Sequence, residues 1–222
     1  MYWTITAWSA AVLLPLLALN AIVVAFTYPW DNSAVRRGIW DFPEDRLLFR
    51  IDKLPIEEIS FFVLQTLQVS FLTLALCSAI PAMHRYEPVI SIGTLTNAGL
   101  LFVVWGIIGL TTRRWRTNHR RYAYAWHLFY WFVPVICVQW IIGSALLSER
   151  LVVILGATFI IGSLLSVADV WAVRRGIWFF DHTQITGHVI ARILPWEEVA
   201  FFYTTSLLVS QSILLLAPES LR

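Results

Sequence analysis

Two short acidic motifs carry most of the chemistry available to this chain. Pro55-Ile56-Glu57-Glu58 recurs as Pro195-Trp196-Glu197-Glu198, and a phenylalanine pair follows each, Phe61-Phe62 and Phe201-Phe202. A carboxyl group buried beside others can hold a proton near neutral pH and act as a general acid. Ionisable groups at the edge of apolar segments are costly and become functional candidates. The same residues also suit a plain helix start, because proline is tolerated in the first turn and glutamates there meet the positive end of the helix dipole. At 100° per residue Glu58 stands above Gln65 and Glu198 above Thr205, which favours Glu58 and Glu198 as the inward pair. Glu57 aligns with Gln68 and Glu197 shares a side with Thr204, so that pair stays open as well.

The motifs belong to a larger repeat. Arg36-Arg37-Gly38-Ile39-Trp40 recurs as Arg174-Arg175-Gly176-Ile177-Trp178, each copy five residues after an aspartate, Asp31 or Asp169. The first block repeats at a spacing of 138 and the second at 140, so the second loop is about two residues longer. Asp31 and Asp169 could pair with the neighbouring arginines or take part in chemistry. The arginines could anchor topology or balance the acids. The two copies are expected to cross a membrane in the same direction, a parallel repeat about an axis along the membrane normal. The expected division is residues 1–115 for the first repeat and 116–222 for the second.

The elements that must position these groups are membrane helices. Of the residues 59% are hydrophobic and 14% charged, and the mean hydropathy is +0.71. Apolar runs approach the roughly 20 residues that cross a bilayer, at about 4–27, 55–80, 88–112, 122–147, 150–172 and 195–217. The expected fold is all-α, a polytopic transmembrane bundle of about six spans with a tandem parallel repeat. Thirteen of the 16 basic residues fall in loops on one side. The positive-inside rule makes that side cytoplasmic, which predicts a multi-pass protein of the cell membrane with both termini outward. The first basic residue is Arg36, so a cleaved signal peptide is not expected. Trp3, Trp30, Trp40, Trp171 and Trp178 suit an interfacial aromatic belt. Cys77 and Cys137 read as apolar packing residues.

No dinucleotide fingerprint, phosphate-cradling loop or Asp-Asp-x-x-Asp pattern occurs, and the five histidines are scattered. The expected chemistry is acid–base, without a cofactor or a metal. Nothing suggests a nucleic-acid partner.

With these residues in view, the chain resembles the small membrane lycopene cyclases of bacteria, archaea and fungi. The matching stretches are Tyr28-Pro29-Trp30-Asp31-Asn32, both Arg-Arg-Gly-Ile-Trp copies, Leu54 to Glu58 with Phe61 to Thr66, Pro134 to Trp140, and Leu194 to Glu198 with Phe201-Phe202. The resemblance implies proton-initiated, non-redox closure of the acyclic ψ end groups of lycopene or a related carotenoid. The acid motif maps onto Glu57, Glu58, Glu197 and Glu198, with Asp31 and Asp169 as further catalytic candidates. Phe61, Phe62, Phe201, Phe202, Trp40 and Trp178 become candidates for binding substrate and facing a cation. Fused members of the family usually have another apolar span before the first Asp-bearing one. A homo-oligomer or a second membrane subunit therefore stays open as a partner. Two other classes stay open too, a proton-coupled transporter and a non-catalytic subunit of a heteromeric cyclase.

Overall fold

The computed structural model describes residues 10–222, without the side chains of Ala10, Ala11 and Arg116. The start of the first expected span and Trp3 lie outside the described residues. Among those described, six helices are long and apolar enough to cross a membrane. They are α1 (Ala10–Arg36), α2 (Ile56–Ala79), α3 (Ile92–Thr111), α5 (Ala123–Glu149), α6 (Leu151–Arg174) and α7 (Trp196–Leu216), with a short α4 (Arg113–Asn118) between α3 and α5. The bundle is all-α and polytopic, as expected.

The first helix runs further than the hydropathy suggested. It continues past residue 27 to Arg36, with Pro15 and Pro29 inside it. The segment from Tyr28 to Asp31 is thus the last part of a span and not loop, and Asp31 is fully buried. The reason is the terminator. Gly38 takes φ +65°, Gly38 N–H donates to the Val35 carbonyl and Ile39 N–H to the Ala34 carbonyl. That pattern is a Schellman cap, which needs the left-handed residue glycine supplies. The second copy repeats it: Gly176 has φ +64°, with Gly176 N–H donating to Val173 and Ile177 N–H to Ala172. Arg-Arg-Gly-Ile-Trp is therefore a helix stop.

The loops between paired helices match as well. Strand β2 (Arg50–Ile51) pairs with β3 (Leu54–Pro55), and β5 (Val189–Ile190) with β6 (Leu194–Pro195). Strand β1 (Trp40–Asp41) pairs antiparallel with β4 (Phe179–Phe180), placing Asp41 opposite Phe179. Those two residues are equivalent in the repeat, so this ribbon lies on the axis relating the halves. Deeper in the bundle the equivalent residues Gln65 and Thr205 meet, Gln65 Nε2 donating to Thr205 Oγ1 at 2.7 Å. The axis thus runs between α2 and α7.

α3 starts with a capping box between Ser91 and Thr94 and has no buried residue. It leans on α5 through Trp105 Nε1, which donates to the Tyr130 carbonyl at 2.6 Å. The bundle's largest apolar cluster instead gathers at the end carrying the acids. Its buried core includes Trp30, Trp40, Phe42, Phe62, Tyr124, Phe132, Phe180, Phe201 and Phe202.

Candidate active site

The two Pro-x-Glu-Glu motifs begin α2 and α7 at the same end of the bundle. Pro55 and Pro195 are the N-cap residues, in extended conformation and without a side-chain cap. The next turn then presents two glutamates with different tasks. Glu57 accepts the Leu48 N–H at 2.9 Å, and Glu197 accepts the Thr186 N–H at 2.8 Å. Leu48 and Thr186 both lie in the loop that leads into the glutamate's own helix. This outer pair therefore ties each loop to the helix that follows it. Glu197 is fully buried in doing so, whereas Glu57 is exposed.

The inner pair faces a cavity. Glu58 and Glu198 line a hollow of about 750 Å³, as does Glu57, and it is partly open to the outside. Its walls are apolar: Trp30, Trp40, Phe61, Trp178, Phe201 and Phe202 among them. Asp31 and Asp169, from the ends of α1 and α6, lie within electrostatic range of Glu58, as does Glu198. Four helices, two from each repeat, thus bring four carboxyl groups to one place. One cluster forms, not two.

The halves differ in how the acids are held. Trp40 Nε1 donates to Asp31 Oδ1 at 3.0 Å. Trp178 makes no such bond; it packs on Phe42 with ring centroids 6.2 Å apart. Both carboxyl oxygens of Asp169 are buried and accept no hydrogen bond among the described residues. Neither aspartate forms the ion pair with the adjacent arginines that their spacing allowed. Arg36 pairs with Asp52 instead. Arg36, Arg37, Arg174 and Arg175 are exposed, because the left-handed cap turns the chain outward just there.

Tyr124 was not foreseen. Its hydroxyl donates to Glu198 from the first turn of α5, and the residue is buried. The Trp40 ring tilts against the Tyr124 ring, centroids 4.9 Å apart. Gln184 holds this corner together. Its carbonyl accepts the Tyr124 N–H at 3.1 Å, and its Nε2 donates to the carbonyls of Arg37 and Gly38 and to Asp181 Oδ2. Asp181, in the loop outside the membrane spans, also accepts from Thr183, and these hydrogen bonds hold its carboxyl below the usual range. A signal for Tyr124 existed, a tyrosine one turn before the similarly buried His127 and Leu128, but it lies outside the repeated motifs.

Trp30 floors the cavity, stacked between His127 and Phe201 at 5.3 and 5.2 Å. Of the expected aromatic contacts, Phe61, Phe201, Phe202, Trp40 and Trp178 do line the acidic cavity; Phe62 faces a deeper one. The arrangement can move a proton within a largely apolar space whose walls offer aromatic faces to a positive charge.

The chain is 32% identical over 200 residues to the lycopene beta-cyclase of Halobacterium salinarum, covering 90% of this chain and 80% of that protein. It is 26% identical over 212 residues to a bifunctional lycopene cyclase/phytoene synthase of Arthroderma gypseum, covering 86% of this chain and 34% of that longer protein. A protein of the same description from Sporisorium reilianum is 29% identical over 203 residues, 87% of this chain and 29% of its own length. No family model matches the chain, and no solved structure matches it. With acids from both repeats converging on one apolar cavity, and a lycopene beta-cyclase matching nine-tenths of its length, the chain belongs to the membrane lycopene cyclase family.

Proposed function

We propose that this protein closes rings on lycopene or a related carotenoid, without net redox change and with the β ring as product. The observation that carries the reading is that Glu58 and Glu198 line one cavity walled by aromatic rings, with Asp31 and Asp169 within electrostatic range of Glu58.

Glu58 delivers the proton. Among the described residues no group donates a hydrogen bond to its carboxyl, and it faces the cavity. The proton adds to carbon 2 of the ψ end group and leaves a cation at carbon 1. The 5,6 double bond attacks, a bond forms between carbons 1 and 6, and the charge moves to carbon 5. Loss of the carbon 6 proton restores the double bond between carbons 5 and 6. Glu198 takes that proton, since the Tyr124 hydroxyl stabilises its charged form. One proton enters and one leaves. Asp31 and Asp169 exchange protons with the pair between turnovers. Phe61, Phe201, Phe202, Trp40 and Trp178 face the cation and exclude the water that would trap it.

Residues 1–115 and 116–222 supply one half of the site each. The basic loops at the acidic end put it at the cytoplasmic face of the cell membrane.

The test is expression of this chain alone in a lycopene-accumulating bacterium, followed by chromatography of the pigments. β-Carotene or a monocyclic intermediate is expected. Unchanged lycopene alongside well-inserted protein overturns the reading.

A further inference from the structure

A second apolar cavity lies one to two helical turns deeper than the acids, between α1, α2, α5 and α7, with about 570 Å³ of non-atom space. On three helices its lining continues that of the acidic cavity at helical spacing. Phe26 sits one turn from Trp30, Gln65 one turn from Phe61, and Thr205 one turn from Phe201. Only a layer of rings separates the two spaces. Trp30 and Phe201 line the acidic cavity, Phe62 and Phe132 the deeper one. Trp30 and Phe132 are 5.0 Å apart by ring centroids, Phe62 and Phe201 6.4 Å.

The deeper cavity offers hydrocarbon to whatever fills it, because its polar side chains are already engaged. Gln65 donates to Thr205, Thr27 to the Val23 carbonyl and Thr66 to the Phe62 carbonyl, while Ser212 accepts from Gln139. Its rim reaches the outer surface at Ile22, which is 55% exposed. A pocket lined this way excludes a polar solute and accepts a long apolar chain entering sideways from the bilayer.

We infer that this cavity binds the polyene of a carotenoid whose end group occupies the acidic cavity, so that the chain lies along the bundle axis past the ring layer. The inference rests on the cyclase reading, and it goes further by placing the substrate inside the bundle. The competing position is the groove between α3 and α5, lined by Trp105, Trp126 and Tyr130. That groove is lined from residues 101–134 alone, so none of the helices that carry the four acids contributes to it.

Binding tests this separately from catalysis. A Glu198→Gln chain is expressed in lycopene-accumulating cells, purified in detergent, and its bound lycopene measured by absorbance per mole of protein. Adding Leu208→Trp, or Val135→Phe if that chain is not monodisperse, is expected to reduce retained lycopene at least tenfold. Adding Leu155→Trp on the lipid-facing side of α6 is expected to leave it within twofold. Equal retention in the filled variants overturns the inference, as does retention by Glu198→Gln no greater than by an unrelated polytopic membrane protein. A wild-type chain that yields no cyclised pigment sinks the cyclase reading, whichever way the retention result falls.

Discussion

Gln65 and Thr205 are equivalent positions of the repeat, and they touch each other across its axis at 2.7 Å. A side chain bonded to its own counterpart requires the two copies to pack face to face. The acids one to two turns above them, Glu58 and Glu198, are thereby drawn into a common space. The bond should stabilise the bundle modestly, since interhelical hydrogen bonds in membranes average about 0.6 kcal/mol. A double-mutant cycle of Gln65→Leu and Thr205→Val, read by thermal unfolding in detergent, is expected to give a coupling of that order.

The inner and outer glutamates should separate in function. Glu58→Gln and Glu198→Gln are expected to lower the cyclisation rate by about 100-fold or more, the scale of a lost general acid or base, with little change in melting temperature. Glu197→Ala should do the reverse in part. It strands the half-buried Thr186 N–H and costs about 1 kcal/mol of stability. Glu57→Ala should matter less, because Glu57 and its loop are exposed. Pigment conversion and thermal melting of the four variants check the pattern.

Tyr124 positions Glu198 and is not itself proposed to touch the reacting carbons. Tyr124→Phe keeps the ring against Trp40 and removes only the donor. A hydrogen bond to a charged group contributes about 1.5–3 kcal/mol, so turnover should fall about tenfold to a hundredfold. The pH dependence of turnover should shift in this variant, whereas a purely structural defect would move the yield of folded protein. Rate against pH in reconstituted vesicles distinguishes the two.

Gly38 and Gly176 hold left-handed caps. A side chain there costs about 1–2 kcal/mol by steric clash in that conformation. Gly38→Ala and Gly176→Ala are each expected to lower stability by that amount. Gly38→Ala should also reduce activity, since the cap sets the position of Trp40 above Asp31. Melting temperature and pigment conversion test both halves of this expectation.

Asp181 gives the loop between α6 and α7 a dependence on pH. Its carboxyl is held below the ordinary value of 3.8 by hydrogen bonds from Gln184 and Thr183. The contribution to stability is therefore fully present above that value and lost as pH falls through the lowered one. Asp181→Asn should lower the melting temperature slightly at neutral pH. The difference from wild type should vanish once the medium is more acidic than the native carboxyl's own range.

The sequence alone determined that the chain is a bundle of membrane helices, that two acidic motifs repeat, and that both begin helices at one end. Those properties are local. Apolar run length sets the spans, and identical motifs impose identical turns on each copy. Helical spacing against Gln65 and Thr205 favoured Glu58 and Glu198 as the inward pair; both line the cavity, but so does Glu57, and Glu197 is fully buried. Tertiary structure alone decided that the four acids form one cluster. It also decided that Trp40 holds Asp31 while Trp178 leaves Asp169 unbonded, and that Tyr124 reaches Glu198. Tyr124 of α5 packs on Trp40 and bonds Glu198, while Trp178 meets Phe42 instead, so the repeat is broken where the helices meet. No spacing along the chain encodes that break, because it arises from contacts between residues as far apart as Tyr124 and Glu198. The extent of α1 was misjudged for a related reason. Hydropathy falls at Tyr28, but helix geometry continues until the backbone meets Gly38, where the left-handed turn satisfies the last carbonyls.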